Sequence, residues 1–139
     1  MDRKGILDFV SNSPVCHMAT VENGQPRVRA MQTAVVDDSG LTFCTGAHKD
    51  ICKQLLANPS VELSYWNPEE GKQIRIRGKM EHLEDLEAKK AIVENVFTFL
   101  KPVVERHGYA ALSLFRLSHG ELRVWSNTQG HQAPEVSAF

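Results

Sequence analysis

A chain of 139 residues, 42% hydrophobic and 24% charged, is expected to fold as one domain over residues 1–139 with a real core. Its 16 basic and 17 acidic side chains argue against a general binder of nucleic acid or acidic membranes. No apolar run reaches membrane-spanning length, the start lacks a signal-peptide core, and the 3 cysteines lack disulfide-framework spacing. These features predict a cytoplasmic protein with reduced thiols.

The first half of the chain alternates strand-like runs with turn residues and ends in a clear helical pattern. A short amphipathic segment comes before the Asn12-Ser13-Pro14 breaker. Helical spacing returns after Thr45 and stops at Asn58-Pro59. The pattern predicts a helix near residues 6–10, strands over 15–21, 27–36 and 41–45, and a second helix reaching about residue 57.

The second half contains the most regular strand pattern. From Gln73 to Leu83 apolar and charged residues alternate, which indicates one buried and one solvated face, and Gly78 marks a bulge or a close approach. The pattern predicts strands over 61–66 and 73–83, a helix over 86–100 that ends before Pro102, and a hairpin of 111–117 with 121–126. The tail, 127–139, has little periodicity and is expected to be mobile or docked on a partner subunit.

The order of these elements favours a mainly β fold. About seven strands come with two or three helices interposed, and strands follow one another directly more often than a βαβ repeat requires. We therefore expect a small antiparallel barrel with peripheral helices rather than a parallel sheet.

The segment FCTGAHKDICKQLLANP, residues 43–59, puts cations at the start of a helix. Lysine is mildly unfavourable there, because the helix N-terminus carries partial positive charge. An anion would reverse this: Thr45 offers a hydroxyl, Gly46 allows close approach, and Lys49 and Lys53 face the bound group with the free backbone amides. The alternative is a solvated basic face in which Asp50 screens both lysines.

Two further patterns are compatible with a bound ligand. Arg27 and Arg29 lie two apart on a strand, so both point to one face and suit a phosphate or a polar ring edge, unless they are simply exposed. Trp66 and Trp125 each end a strand-like run, where a tryptophan usually covers a core edge and less often stacks on a planar ligand.

Metal and hydrolase chemistry have little support in the sequence. Cys44, His48 and Cys52 have a spacing that raises a metal hypothesis, but a fourth ligand is missing and Cys52 is better explained as a small apolar residue. The remaining histidines are scattered and have no order that specifies a catalytic triad.

On these residues the chain resembles the pyridoxamine 5′-phosphate oxidase-like family of FMN-binding split barrels. The resemblance covers about residues 5–126 and is sharpest in QPRVRAMQ (25–32), in LTFCTG to NP (41–59) and in KQIRIRGKMEHLED (72–85). It implies a homodimer that binds FMN at the subunit interface and acts on a small molecule.

The resemblance also implies roles for single residues. The strand arginine beside the flavin corresponds to Arg29, with Arg27 next to it, and the threonine that ends the third strand corresponds to Thr45. The cationic phosphate ligands lie on the following helix, where this chain offers Lys49 and Lys53.

Which lysine would take the phosphate is left open, because in many relatives the cations fall where this chain has Asp50 and Ile51. The flavin-contacting glutamine corresponds to Gln73, and Trp125 would approach the flavin from the second subunit.

Two departures limit the implied activity. Ala34 occupies the family's second-strand lysine position, and GELRVWSNTQG replaces the C-terminal elements that hold the vitamin B6 substrate. We therefore expect an FMN-dependent oxidoreductase that does not oxidise vitamin B6. The alternatives are a non-catalytic flavin store or sensor, a haem-binding relative that uses His17, His48 or His119, and a barrel without cofactor that only mediates protein contacts.

Overall fold

The computed structural model describes all 139 residues and confirms a mainly β fold built from antiparallel sheets. The helices are α1 (Arg3–Asn12), α2 (Asp50–Ala57), α3 (Leu86–Asn95) and α4 (Lys101–His107), with short 3-10 turns at Thr98–Leu100, Tyr109–Ala111 and Asn127–Gln129. The strands are β1 (Val15–Glu22), β2 (Gln25–Gln32), β3 (Val35–Asp37), β4 (Gly40–Gly46), β5 (Ser60–Asn67), β6 (Lys72–Lys79), β7 (Glu81–Leu83), β8 (Leu112–Leu117), β9 (Glu121–Ser126) and β10 (Glu135–Ala138).

The strands form two sheets. One has six strands in the order β10-β9-β6-β5-β1-β2, and the other has four in the order β3-β4-β8-β7. Their inner faces enclose a core cluster of 21 buried residues, to which α1 and α2 contribute one apolar face each. The predicted alternation of β6 is confirmed, because Ile74 and Ile76 are fully buried while Arg77 is exposed.

Two predicted strands are each divided between the sheets, which corrects the single strands expected over 27–36 and 73–83. The first breaks after β2. The Thr33 amide still donates to the Pro14 carbonyl, in register with the β1 ladder, and the Ala34 amide then donates to the Thr42 carbonyl of β4. The second breaks at Met80, whose amide donates to the Pro59 carbonyl. The alternation of apolar and polar residues does not reveal this change of partner strand, because each piece keeps the two-residue strand period.

The helix expected over 86–100 is also divided. α3 ends at Asn95, where the Val96 and Phe97 amides both donate to the Ile92 carbonyl. Pro102 then lies in the first turn of α4 rather than after a helix. That position suits proline, because the first turn leaves amide groups without intrahelical acceptors.

The hairpin expected over 111–126 is not formed. β8 pairs with β4 and β7, whereas β9 pairs with β6 and β10, so the two strands belong to different sheets. Gly78 lies at the crossing: a Cβ there would lie 2.7 Å from the His119 carbonyl oxygen, which confirms the close approach predicted for it.

The end of the tail docks on its own chain. Residues 135–138 form β10 against β9, and Phe139 exchanges backbone hydrogen bonds of 2.9 and 3.1 Å with Gly120. The Phe139 side chain is 8% exposed within the main core, and the guanidinium of Arg3 lies 4.6 Å from its ring centroid. Docking of the tail on a second subunit stays a prediction.

Candidate functional site

β2 and the start of α2 enclose a pocket of about 750 Å³, here called the anion pocket. Its cations come from both elements: Arg27 and Arg29 lie two apart on β2, and Lys49 directly precedes α2. The structure therefore brings together three of the residues predicted to bind the cofactor.

Free backbone amides at the helix start add to these cations. Lys49 has extended backbone angles (φ −73°, ψ 153°) and caps α2, which corrects its expected place in the first helical turn. The amides of Ala47 and Lys49 donate to the Ala111 and Gly46 carbonyls, whereas those of His48, Asp50 and Ile51 have no acceptor in the structure. Unpaired amides at a helix N-terminus bind anions.

A buried network fixes the guanidinium of Arg29. It donates to the Thr20 hydroxyl at 2.7 Å and to the Gln54 amide oxygen at 2.5 Å. Thr20 itself donates to Gln54 at 2.6 Å, and the Gln54 amide nitrogen donates to Glu22 at 3.3 Å. Burial lowers the pKa of Arg29, and the positive charge of Arg27 lowers it further. The guanidinium is thus held in one orientation, partly desolvated, at the wall of the anion pocket.

Thr20 and Gln54 were not predicted from the sequence as site residues. Thr20 is 1% exposed, and Gln54 is 5% exposed beside Ile51 and Leu55 on the apolar face of α2. A glutamine among the apolar residues of this helix face was the sequence signal for the network, because a polar side chain at a core position needs hydrogen-bond partners.

Two carboxylates also line the anion pocket. Glu22 lies 3.4 Å from Arg27, and Asp50 stands in the first turn of α2. Three cations and two carboxylates (3 − 2) leave the pocket with a net charge of about +1 if every group is ionised. The pocket therefore attracts an anion, with less excess charge than its cations alone would supply.

A second space, here called the apolar cavity, has about 710 Å³ and adjoins the anion pocket through His48 and Lys49. Thr45 and Gly46 at the end of β4 line it, as does Ala30 of β2. The Thr45 side chain is 93% buried (7% exposed) and its hydroxyl has no hydrogen-bond partner within the chain, so it can serve a ligand.

Lys53 lies elsewhere. It lines a separate cavity of about 510 Å³ with Asn23 and Gly24 of the β1–β2 turn and is not part of the anion pocket. Lys49 and Lys53 thus line different cavities, although the Lys53 amide donates to the Lys49 carbonyl one turn earlier. Binding of one phosphate by both lysines stays a prediction.

Gln73 and Trp125 are brought together on the outward face of the six-stranded sheet. They are paired residues of β6 and β9, and the Gln73 amide donates to the Ser64 hydroxyl at 3.1 Å. Neither residue lines the anion pocket or the apolar cavity. One chain thus carries two separate groups of predicted flavin ligands.

The remaining sequence hypotheses have clear structural outcomes. Cys52 is 3% exposed and its thiol lies 3.5 Å from the Ser113 hydroxyl, which confirms that it packs in the core. Burial raises the pKa of Cys44 to about 11, so this thiol is protonated at neutral pH. Ala34 is buried in a cluster with Ile92, Phe97 and Leu114, where a lysine would meet apolar side chains.

The residues present fit FMN. Phosphate suits the two arginines, Lys49 and the free amides, and a planar ring suits the adjoining apolar cavity. The pocket carboxylates weaken this fit without removing it, because Glu22 is already paired with Arg27.

The two antiparallel sheets, with the anion pocket at the start of α2, define the class as a split barrel. Residues 3–129 match the family described as pyridoxamine 5′-phosphate oxidase, so the chain belongs to this family. A pyridoxine/pyridoxamine 5′-phosphate oxidase of Microcystis aeruginosa is 33% identical over 92 residues, 66% of this chain and 40% of that protein. The chain spans less than half the length of such curated relatives.

Solved structures share the whole fold. A nimc/nima family protein from Clostridium acetobutylicum has TM-score 0.77 and 25% identity, and covers 99% of this chain and 93% of its own. A pyridoxamine 5′-phosphate oxidase-related, FMN binding protein from Nostoc punctiforme has TM-score 0.67 and 13% identity, with coverage of 99% and 96%. A heme binding protein from Mycobacterium smegmatis has TM-score 0.71 and 14% identity, with coverage of 97% and 57%. No helix of this chain is long and apolar enough to cross a membrane.

Proposed function

We propose that the chain is an FMN-binding oxidoreductase that acts on a small organic molecule. The observation that carries the proposal is the anion pocket beside the apolar cavity. Arg29, Lys49 and three free amides converge there, next to a space within the usual range of ligand pockets, about 300–1,000 Å³. Membership of the oxidase family and the likeness to an FMN-binding fold support it.

In this proposal the residues of the chain bind and orient the cofactor. Arg27, Arg29 and Lys49 hold the phosphate with the amides that open α2, and Thr45 and Gly46 line the path to the ring. FMN, when bound, supplies the redox chemistry, and the protein supplies position and electrostatics. The proposed location is the cytoplasm, since all 3 cysteines are free thiols.

The proposed functional unit is a homodimer with FMN at the subunit interface. The outward face of the six-stranded sheet exposes apolar side chains: Val15 is 53% exposed, Val28 69% and Trp66 44%. Such faces usually mark interaction surfaces. Gln73 and Trp125 lie on this same face, so a second copy would bring them to the flavin held by the first.

Two other functions predict different results when the purified protein is incubated with FMN and its visible absorption spectrum is recorded. A flavin store or sensor binds FMN but turns over with no electron donor and acceptor. A haem protein of this fold requires an axial ligand, and of the three histidines considered only His48 lines the candidate site, while His17 lies on the outward sheet face and His119 between β8 and β9.

The deciding measurement is the visible absorption spectrum of the purified protein after incubation with FMN and desalting. Retained flavin bands with release of FMN on denaturation are expected, and Lys49→Ala should weaken retention while Lys53→Ala, outside the anion pocket, leaves it unchanged. A Soret band would instead identify the haem alternative. Absence of retained flavin at every FMN concentration would overturn the proposal.

A further inference from the structure

The apolar cavity has a wall that the proposed cofactor site does not use. After α3 the chain folds back through a 3-10 turn and α4 and returns to β8, opposite the ends of β2 and β4. This segment, here called the α4 wall, contributes Phe97, Phe99, Leu100, Val103, His107 and Leu112 to the cavity.

The α4 wall differs chemically from the anion pocket. No arginine and no carboxylate lines the apolar cavity, and Lys49, at the border between the two spaces, is its one ammonium group. The lining is mostly aliphatic and aromatic, with the rings of Phe97 and Phe99 5.5 Å apart. This surface favours an apolar, planar molecule and lacks the groups that would hold a second phosphate.

The polar groups of the wall are few and free. The imidazole of His107, in the last turn of α4, has no hydrogen-bond partner in the chain. The apolar ring of Phe99 is 71% exposed at the cavity rim. A small number of free polar groups in an apolar lining sets the orientation of a ligand. An imidazole offers one N–H donor in its neutral form and two when protonated.

We propose that the α4 wall is the substrate subsite of the flavin site and takes a planar aromatic molecule with a carbonyl acceptor and no phosphate. Phe99 covers a face of the ring, and His107 donates a hydrogen bond to the carbonyl oxygen. The assignment rests on the proposed function, because it places this molecule next to the cofactor. It adds the class of substrate and two residues that select it.

The test measures binding of 1,4-naphthoquinone to the FMN-loaded protein by isothermal titration calorimetry, with pyridoxal 5′-phosphate as the phosphorylated comparison. The naphthoquinone is expected to bind more tightly. His107→Ala should weaken its binding about tenfold by removing one hydrogen bond, and leave naphthalene, which has no acceptor, unaffected. Phe99→Ser should weaken both ring compounds, whereas the control Val96→Ser, 42% exposed in the same segment but outside the cavity, should weaken neither.

Each contrary result has its own meaning. Tighter binding of pyridoxal 5′-phosphate would overturn the substrate class. Loss of FMN affinity in His107→Ala and Phe99→Ser, with naphthoquinone affinity unchanged, would assign the wall to the flavin ring. A change of oligomeric state in Phe99→Ser alone would assign it to the subunit interface. A wild-type protein that retains FMN but binds no naphthoquinone overturns the subsite only, whereas one that retains no FMN overturns the proposed function.

Discussion

Gln54 shows how a single buried polar residue organises the candidate site. Its amide oxygen accepts from both Arg29 and Thr20, and its amide nitrogen donates to Glu22. The residue thus connects α2, β1 and β2 and holds the one arginine that faces the anion pocket from a partly buried position. Arg27, which is more exposed and paired only with Glu22, has no comparable support.

Gln54→Leu is expected to weaken FMN binding about tenfold, because Arg29 loses a hydrogen-bonding partner that orients it. The substitution also leaves two donors unsatisfied and should lower the free energy of unfolding by about 1–3 kcal/mol. Quenching of FMN fluorescence gives the affinity, and urea unfolding gives the stability. Gln25→Leu, at the exposed start of β2, is the control. Equal FMN affinity in Gln54→Leu and in the wild type would show that FMN binding does not depend on the orientation of Arg29 by Gln54.

The buried thiol of Cys16 makes the free energy of unfolding depend on pH in the alkaline range. Burial raises its pKa from 9.0 to about 12, and burial also raises the pKa of its neighbour Tyr65. The folded state therefore favours the protonated thiol. The contribution of this thiol to the free energy of unfolding is fully present below its pKa in the unfolded chain and is lost as the pH rises towards its pKa in the folded state.

We expect the free energy of unfolding to fall by about 1.4 kcal/mol per pH unit from this thiol, starting near pH 9. Urea unfolding of the wild type and of Cys16→Ala, at several pH values below the range in which Tyr65 ionises, measures how the free energy of unfolding depends on pH in each protein. The slope should be smaller in the variant. A slope that does not change would assign the pH dependence to other groups.

At the scale of elements, the chain switches sheets where the sequence pattern is continuous. β2 and β3 come from one strand-like run, and so do β6 and β7. The pleat period was read correctly in both runs, but the partner of each backbone amide depends on residues far away in sequence, such as Pro14 and Pro59.

The C-terminal strand provides the clearest element-scale prediction. Phe139 is 8% exposed in the main core, whereas Val136, three residues earlier in the same segment, is 53% exposed. Phe139→Ala should lower the free energy of unfolding by about 3 kcal/mol through lost burial and a residual cavity, and Val136→Ala by less than about 0.5 kcal/mol. Urea unfolding measures both. Equal stabilities would mean that the tail detaches in solution.

At the scale of the whole molecule, the two groups of predicted flavin ligands lie apart on one chain. Arg29 belongs to the anion pocket, and Gln73 and Trp125 belong to the outward sheet face. In a two-fold symmetric dimer each subunit would complete the site of the other.

Mixing two defective variants tests this arrangement. Arg29→Ala and Trp125→Ala should each bind FMN weakly, but a mixture exchanged by mild denaturation should regain about a quarter of the wild-type tight sites, because half of the random dimers hold one intact site. FMN titration of the mixture counts them, and size-exclusion chromatography confirms the dimer. No recovery in a mixture shown to contain heterodimers would place both residues in the same subunit's site, or Trp125 outside it.

The sequence by itself determined the mainly β fold, the family and the inward face of β6. These follow from local periodicity and from motifs that lie within one strand–helix unit.

Only the tertiary structure decided the rest. It placed Lys53 in the cavity beside the β1–β2 turn, joined Thr20 and Gln54 to Arg29, and placed the α4 wall opposite β4. Each of these contacts joins residues distant in sequence, or depends on one backbone angle at a helix cap, and neither property leaves a pattern in the order of residues.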